Sequence, residues 1–525
     1  MKKYIFISII ALMGVVASSC SLQENPEYFV NPTQYYKNFS QCRVAVNGVY
    51  KRLNSLYVFR MYTFTEAHTD IAYEPAPTVT EARLELSPAQ PGFSEEIWRY
   101  CYEMIREANG HLYHIGNSTL TDEEKLLLMS ETAIMRAFYY YLLTSLFNDV
   151  PFYDYPILNV KDMDRVGKLG RMSAVDTRTY LINELNDYLA EMKESDKAGN
   201  NPSGLKYYIK SSEDPQNRVG ASVALMLVAK MAMWNAAKDV VQTPDYWYDI
   251  AVTALKSLES IYGELSQYPL EDIWFRYKNT PESIFEIQHT YTSGGLEYTG
   301  NLAAMMIPYK SGSGDNVKFD GVKMDIYNDD TSCWTPARPN LIFCREIQPV
   351  AGTDLRAGMN MAIEYNGQQF DAIKNSRAPY PGPKFWCPHM YMAKDSNNYK
   401  VFRFADAVLM LAECYYHLGD GGKAVTYLNK VRTRAGLPEY TNATDRKKLF
   451  REIQDERARE LFGEFQRKFD LVRWGVWYDW TKGFNDYAEL QENIRPCHEY
   501  LPIPDKQIMA SGHILDNKEY NKYGM

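Results

Sequence analysis

One stretch near the C-terminus, FADAVLMLAECYYHLGDGGKAVTYLNKVRTRAGLP, constrains the fold more than any other part of this 525-residue chain. Its apolar residues recur with a helical period on both sides of the turn HLGDGGKA. Ala412 and Ala424 are small residues placed where two antiparallel helices must approach each other closely. The stretch therefore predicts a helical hairpin closed by a glycine-rich turn.

A second hairpin has the same pattern. In ALMLVAKMAMWNAAKDVVQTPDYWYDIAVTALKSL, Ala229 and Ala251 take the places of Ala412 and Ala424, with a longer turn between the helices. The first hairpin matches the register of a tetratricopeptide unit of about 34 residues, and the second has small residues in the equivalent roles. Degenerate repeats of this kind stack into a scaffold, and such scaffolds most often bind protein partners.

Helical periodicity continues through much of the chain. Thr121 and Glu124 form the capping-box pattern at the start of one of these helices. The predicted helices span residues 33–57, 93–115, 121–147, 173–193, 218–239, 245–263, 402–419, 421–436 and 444–475. The fold class predicted is mostly α, a bundle of tetratricopeptide-like helical hairpins.

Residues 264–400 differ from the rest of the chain. They are rich in Gly, Pro, Asn and Asp, and contain scattered aromatics and short apolar runs such as SIFEIQ. This composition predicts an irregular, loop-rich lobe with a few short strands. Irregular segments of this length are uncommon unless they carry function. We therefore divide the chain into an N-terminal helical region (33–263), an irregular lobe (264–400) and a C-terminal helical region (401–525).

The N-terminus has the pattern of an export signal. Two lysines precede an apolar run of about 14 residues, which is too short to span a bilayer, and small residues follow. Cys20 then opens the polar run CSLQEN. The pattern resembles a lipoprotein signal, with residues 1–19 removed and residues 20–32 forming a lipidated N-terminus and linker. In the alternative, the protein is secreted without lipid and Cys20 is incidental.

Composition limits the function classes. The net charge of −9 argues against binding to nucleic-acid phosphates. Eight cysteines include no CxxC pair, so buried thiols are expected, with a Cys333–Cys344 disulfide as an alternative. No phosphate loop, nucleophile elbow or HExxH motif occurs. His111 and His114 lie one helical turn apart and are interpreted as a surface pair rather than as metal ligands.

The segment IQDERARELFGEFQRKFDLVRWG, residues 453–475, is the most ordered charged stretch. Its helical spacing predicts ion pairs along one long amphipathic helix. The predicted pairs are Arg459–Asp455, Glu464–Lys468 and Asp470–Arg473.

The same segment resembles a signature of the SusD-like (RagB/SusD) family. Four further pieces agree in order: EEIWRYCYEMIREANGHL, MRAFYYYLLTSLFNDVPFY, FRFADAVLMLAEC with LNKVRTRAGLP, and EYLPIPDKQI. Asn148 stands where the family commonly has glycine, and Asn tolerates positive φ.

The resemblance implies a nutrient-binding lipoprotein of the outer membrane, facing the cell exterior. Such a protein binds oligosaccharides without cleaving them and acts as a lid on a SusC-like TonB-dependent transporter. It implies no catalytic residue, cofactor or metal. Peptides are the alternative ligand; a ligand-free structural lid and, least favoured, a hydrolase also remain open.

A sugar site needs exposed aromatic rings on loops, with polar groups beside them. The candidates are Asp70 and Tyr73 in TEAHTDIAYEP, and Tyr291, Tyr298 and Trp334 in the irregular lobe. Each of these residues could instead anchor its loop. Trp386 is a weaker candidate because flanking prolines suggest packing, and Trp98 and Trp474 are expected in the core.

Overall fold

The structure is a computed structural model of the whole chain. It describes residues 35–199, 206–214, 217–273, 278–289, 291–292, 297–298, 300–307, 337–349, 352–362, 364–365, 368–369, 379–386 and 394–525. Cys20, Trp334 and the predicted segments 1–19 and 20–32 lie outside these ranges.

The described residues are mostly helical, as the sequence predicts. The helices of the N-terminal region are α1 (Phe39–Asn47), α2 (Leu53–Leu56), α3 (Phe59–Tyr62), α4 (Ser94–Gly116), α5 (Asp122–Phe147), α6 (Val160–Gly167), α7 (Ala174–Ala198), α8 (Ala221–Lys238) and α9 (Pro244–Tyr262). Those that follow are α10 (Ala303–Met306), α11 (Ala357–Asn360), α12 (Phe404–His417), α13 (Gly421–Arg434), α14 (Arg446–Leu461), α15 (Arg467–Arg473), α16 (Trp477–Phe484), α17 (Ala488–Asn493), α18 (Asp505–Ala510) and α19 (Lys518–Asn521).

Helix α5 begins where its capping residues predict. The Thr121 side chain accepts a hydrogen bond from the Glu124 N–H at 3.2 Å, and the Glu124 carboxylate accepts one from the Thr121 N–H at 3.0 Å. The helix ends at Asn148, whose φ is +63°, so asparagine does adopt a positive φ at the position where the family commonly has glycine. From its third turn onward α5 is buried, because it packs between α4 and α7.

The predicted hairpins are confirmed. Helices α8 and α9 pack together through the fully buried Ala229 and Ala251, and α12 packs on α13 through Ala412 and Ala424. Alanine lets two backbones approach each other at these positions. The turn between α12 and α13 requires glycine at position 421, because a Cβ there would lie 2.4 Å from the Ala443 carbonyl oxygen.

Short antiparallel strand pairs occur in the irregular lobe and at its borders. The strands are β1 (Ala72–Tyr73), β2 (Ser283–Ile287), β3 (Tyr291–Thr292), β4 (Glu297–Tyr298), β5 (Arg338–Pro339), β6 (Glu364–Tyr365), β7 (Gln368–Gln369) and β8 (Tyr399–Arg403). They pair as β1–β5, β2–β8, β3–β4 and β6–β7. Strand β8 continues directly into α12, which ties the lobe to the C-terminal hairpin.

The prediction of one continuous helix over 444–475 is wrong. The chain leaves the helical conformation between α14 and α15, where Gly463 and Phe465 have φ values of +76° and +61°. A Cβ on Gly463 would lie 2.3 Å from the Phe385 ring, so the break lets the lobe pack closely here. Among the three predicted ion pairs, only Asp470–Arg473 forms. Arg459 instead pairs with Glu456 and Glu452.

The charges of this segment are buried rather than solvated. The Arg403 guanidinium on β8 donates to Glu464 at 2.7 Å, to Glu460 at 2.6 Å and to Glu282 at 2.9 Å. Arg434, Arg356 and Lys384 complete a set that we call the arginine–carboxylate network: Glu282, Arg356, Lys384, Arg403, Arg434, Glu456, Glu460 and Glu464.

The arginines govern the ionisation of the network. Burial alone would raise the pKa of Glu460, but Arg434, Arg403 and Arg356 hold this pKa well below its usual range. The network therefore joins the lobe to the helical region through paired charges.

The five cysteines in the described ranges are buried free thiols, as expected, and Cys344 is one of them. Cys333 lies outside the described residues, so the alternative of a Cys333–Cys344 disulfide stays a prediction. No helix in the described part of the chain is long and apolar enough to cross a bilayer.

Candidate ligand-binding surface

The loop that carries Asp70 and Tyr73 is fixed by two buried amide side chains. After α3 the chain makes a π-type turn (Thr63–Ala67) and then enters β1, which pairs with β5 so that Tyr73 lies opposite Arg338. The Asn485 side chain donates to the carbonyl oxygens of Ala67, Thr69 and Ala72 at 2.8–3.0 Å. The loop is thus held rigidly before any ligand arrives.

Asn340 holds the same loop from the other side. Its side chain donates to the Thr69 carbonyl oxygen at 3.1 Å, and its backbone N–H donates to the Ile71 carbonyl oxygen at 2.8 Å. The Asn340 side-chain oxygen accepts from the Asp486 N–H at 2.9 Å. These bonds connect the β1 loop, β5 and the segment after α16 into one unit.

Tyr73 is partly exposed at the edge of this unit. It packs against the hydrophobic core, and this burial raises the pKa of Tyr73 to about 12, with Arg338 acting in the opposite direction. The phenol is therefore neutral at physiological pH. An aromatic ring in this position offers an apolar face together with a polar tip.

One exposed carboxylate, Asp486, lies near Tyr73, and an exposed arginine, Arg345, lies near that carboxylate. The Asp486 carboxylate accepts the Leu341 N–H at 2.6 Å and is close enough to affect the pKa of Tyr73. Partial burial raises the pKa of Asp486, and Arg345 acts in the opposite direction, which places these two charges near each other. We call Tyr73, Arg345 and Asp486 the Tyr73 surface. Chemically it offers a ring, an acceptor and a cationic donor.

The prediction that Asp70 contacts ligand is wrong. Asp70 is 1% exposed, and its two carboxylate oxygens accept hydrogen bonds from Arg467 Nε at 2.8 Å and from Nη2 at 2.6 Å. Both residues are buried, so the pair satisfies the carboxylate completely. Asp70 anchors the loop to α15, which is the alternative that the sequence left open.

The other candidates lie in the irregular lobe. Tyr291 and Tyr298 are directly paired across the β3–β4 ladder, so the backbone brings these two residues together. Trp334 lies outside the described residues and precedes Arg338 of β5 by four positions in the sequence.

All three tryptophans expected to pack lie in or against the hydrophobic core. Trp98 and Trp386 are buried, and the Trp386 N–H donates to the Pro381 carbonyl oxygen at 3.1 Å. Trp474 is only partly buried, and its N–H donates to Glu413 at 2.9 Å.

His111 is not a free surface residue, because the Tyr36 hydroxyl bonds to its Nδ1 at 2.7 Å and burial lowers its pKa to about 4.

Sequence reasoning missed Arg345 and Asp486. Arg345 lies inside the predicted lobe without a distinguishing motif, and Asp486 lies in the C-terminal helical region, far from the lobe in sequence. The one available signal was the break in helical periodicity at GFNDY, just after α16. Within the described ranges, no group of three or more His, Cys, Asp or Glu side chains is arranged to hold a metal ion.

Two family models match the chain. The model described as the SusD family matches residues 389–520, and the model described as starch-binding and associating with the outer membrane matches residues 36–177. Together these segments make up about half of the chain. SusD-like protein P25 of Formosa agariphila is 25% identical over 559 aligned positions, which cover 95% of each chain.

Solved structures share the fold. A SusD homolog from Bacteroides thetaiotaomicron matches with a TM-score of 0.70 at 19% identity, covering 92% of this chain and 97% of its own. Surface glycan-binding protein A from the same organism, solved in complex with laminarihexaose, matches with a TM-score of 0.65 at 18% identity, covering 92% and 99%. The chain belongs to the SusD-like (SusD/RagB) family.

Proposed function

We propose that this protein captures an oligosaccharide at the cell exterior and delivers it, uncleaved, to a SusC-like TonB-dependent transporter. The observation that carries the proposal is the Tyr73 surface, where a partly exposed ring on a rigidly held loop lies near the Asp486 carboxylate, with Arg345 next to that carboxylate. The C–H face of a sugar ring packs on an aromatic face, and its hydroxyls bond to charged and amide groups. Family membership and the glycan bound by a related fold support this choice of ligand.

Weak binding is sufficient for this role. A lipid anchor at Cys20 would hold the protein beside its transporter, and the high local concentration of a tethered partner compensates for modest affinity. Tyr291, Tyr298 and Trp334 remain proposed further contacts from the irregular lobe. The arginine–carboxylate network would keep this lobe attached to the hairpin framework while the framework contacts the transporter.

Affinity electrophoresis tests the ligand class. The purified chain, run through gels that contain one polysaccharide each, is expected to be retarded by at least one of them. A Tyr73→Ala variant should lose that retardation. Tyr246→Ala is the matched control, because Tyr246 is 49% exposed on α9 and lies in a different element from the Tyr73 surface. Retardation by no glycan, with saturable binding of peptides, would contradict the sugar assignment.

Two further measurements test the other parts of the proposal. Mass spectrometry of the cell-derived protein should find acylated Cys20, and a protease added to intact cells should digest the protein. An unmodified Cys20 in a protein shielded from protease would contradict the proposed location. Incubation with the retarding glycan should release no new reducing ends, and their release would contradict a purely binding role.

A further inference from the structure

A cleft of about 520 Å³ is lined by none of the residues that form the Tyr73 surface. Its walls come from α4, from the segment between α5 and α6 with the end of α6, and from α18 with the residues that follow. We call it the α4 cleft. Its volume is within the range of small-ligand sites.

The inner wall of the α4 cleft is apolar and aromatic. Trp98 and Tyr102 lie one turn apart on α4, with ring centroids 4.9 Å apart, and Tyr153 comes from the segment after α5. The Tyr102 hydroxyl donates to the Pro151 carbonyl oxygen at 2.7 Å, which fixes this wall. Such a wall suits the C–H faces of a ring-shaped ligand.

The outer wall carries two cations without partners. Arg99 and Arg106 are exposed, and seven positions on a helix return to nearly the same face. In the part of the chain that the structure describes, neither guanidinium forms an ion pair or a hydrogen bond, and Arg99 only stacks on the Tyr100 ring.

The one carboxylate in the α4 cleft is already neutralised. Glu103 accepts two hydrogen bonds from Arg52, both at 2.9 Å, and Lys51 lies 3.2 Å from it. The bond from Arg52 is the main reason that the pKa of Glu103 is lowered. The α4 cleft therefore keeps the positive charge of both Arg99 and Arg106, and Gln507 adds an amide from the opposite wall.

We propose that the α4 cleft is a second saccharide site, selective for oligosaccharides that contain uronic acid. A sugar carboxylate would pair with Arg99 or Arg106, since guanidinium–carboxylate bonds are charge-assisted and geometrically specific. The apolar wall would receive the C–H face of the ring, and Gln507 would bond to hydroxyls. This inference rests on the proposed function in taking the ligand to be a saccharide, but it uses none of the residues of the Tyr73 surface.

Calorimetric titration with trigalacturonate at low salt tests this inference. The double variant Arg99→Gln/Arg106→Gln should weaken binding by at least about tenfold, as expected for losing charge-assisted bonds. The matched control is Arg165→Gln, because Arg165 is an exposed arginine that stacks on Tyr155 and does not line the cleft. Circular dichroism verifies that both variants are folded, and the neutral maltotriose should not bind the α4 cleft.

The outcomes separate this inference from the proposed function. Loss of trigalacturonate binding in the double variant, with Arg165→Gln and Tyr73→Ala unchanged, supports the α4 cleft. If only Tyr73→Ala loses trigalacturonate binding, the inference is overturned while the proposed function stands. No saturable binding of trigalacturonate, or equal losses in the double variant and in Arg165→Gln, also overturns the inference.

Discussion

Two contacts in this molecule are made in opposite ways. The hairpin of α12 and α13 is held by small apolar residues, with Ala412 and Ala424 fully buried between the helices. The contact between the C-terminal helical region and the irregular lobe is held by buried charge. Arg403 pairs with Glu282 of the lobe, and Arg356 of the lobe pairs with Glu456 and Glu460 of α14. The hairpin contact forms between neighbours in sequence, whereas the charged contact joins segments that are far apart along the chain.

The two kinds of contact differ in how much sequence variation they allow. A hairpin repeat tolerates only small residues at its contacts, because its geometry comes from close backbone approach. A lobe attached through bidentate ion pairs depends on a few long side chains, and its remaining loops can differ without disturbing the framework. Buried pairs of this kind stabilise little in net terms, but removing one partner is costly because the other charge is left unpaired.

The largest expected effect comes from breaking the charged contact. Arg403→Met should lower the free energy of unfolding by about 3–5 kcal/mol, since Glu460 and Glu464 lose a buried partner. The control is Lys168→Met, because Lys168 pairs with Asp164 at 2.6 Å but both side chains are more than 60% exposed. Its cost should stay within about 1 kcal/mol. Urea unfolding measures the free energy of unfolding of both variants. Equal losses would mean that the buried pairs of Arg403 matter no more to stability than the exposed pair of Lys168.

The next effect is expected at Glu66, a buried carboxyl whose hydrogen bonds come from backbone N–H groups and not from a cationic side chain. Glu66 is fully buried and accepts the Gln466 N–H at 2.7 Å and the Arg467 N–H at 3.2 Å. Burial raises the pKa of Glu66 from 4.5 to about 8, so the folded state binds its proton more tightly than the unfolded state does. This carboxyl therefore makes stability fall as the pH rises from about 5 to about 8.

Glu66→Gln should remove that dependence, because the amide oxygen still accepts both N–H groups and carries no charge. Between pH 5 and pH 8 the free energy of unfolding of the variant should rise by about 3 kcal/mol relative to that of the wild type, as judged by urea midpoints. Burial lowers the pKa of Lys468 to about 7, so that group has the opposite effect, and only above about pH 7. A pH profile that is parallel in wild type and variant would show that Glu66 is not neutral in the folded protein.

Overfilling the apolar contact should have a smaller effect. Ala412→Leu places extra methyl groups between α12 and α13 and should cost about 1–3 kcal/mol. Thr433→Leu is the matched control, since Thr433 is exposed on α13 and should tolerate the same side chain. Thermal unfolding compares the two. A neutral Ala412→Leu would mean that the helices are not closely packed at this point.

The smallest expected effect is at the start of α5. Thr121→Ala removes the side-chain acceptor for the Glu124 N–H and should cost about 1 kcal/mol, whereas Thr121→Ser keeps that acceptor and should be close to neutral. Chemical denaturation measures the difference. The same cost for both variants would contradict the capping role.

Local patterns made the framework predictable. The predicted range 121–147 matches α5, and 245–263 matches α9 to within one residue. The range 33–57 was less accurate, because the chain forms α1, a short 3-10 turn (Gly48–Tyr50) and α2 there rather than one helix. The charged segment was misread for a physical reason: helical spacing cannot distinguish a solvated charge from one paired with a distant segment.

The site was less predictable for the same reason. Asp70 is a charged residue in a loop, as expected of a residue that binds a ligand. Its partner Arg467, however, is 397 positions away in sequence. Tyr73 could be selected from the sequence, because an aromatic residue in a polar turn is often partly exposed. Asp486 and Asn485 reach the site only through the tertiary packing of α16, which no local pattern specifies.

Calorimetric titration of Tyr73→Ala measures how much the Tyr73 ring contributes to glycan binding. The ligand is the glycan that retards the wild type most strongly, and Tyr246→Ala is the control. Our account predicts that Tyr73→Ala binds about tenfold more weakly and that the control is unchanged, since one ring contact contributes about 1 kcal/mol. Equal affinity of Tyr73→Ala and wild type for that glycan would contradict it.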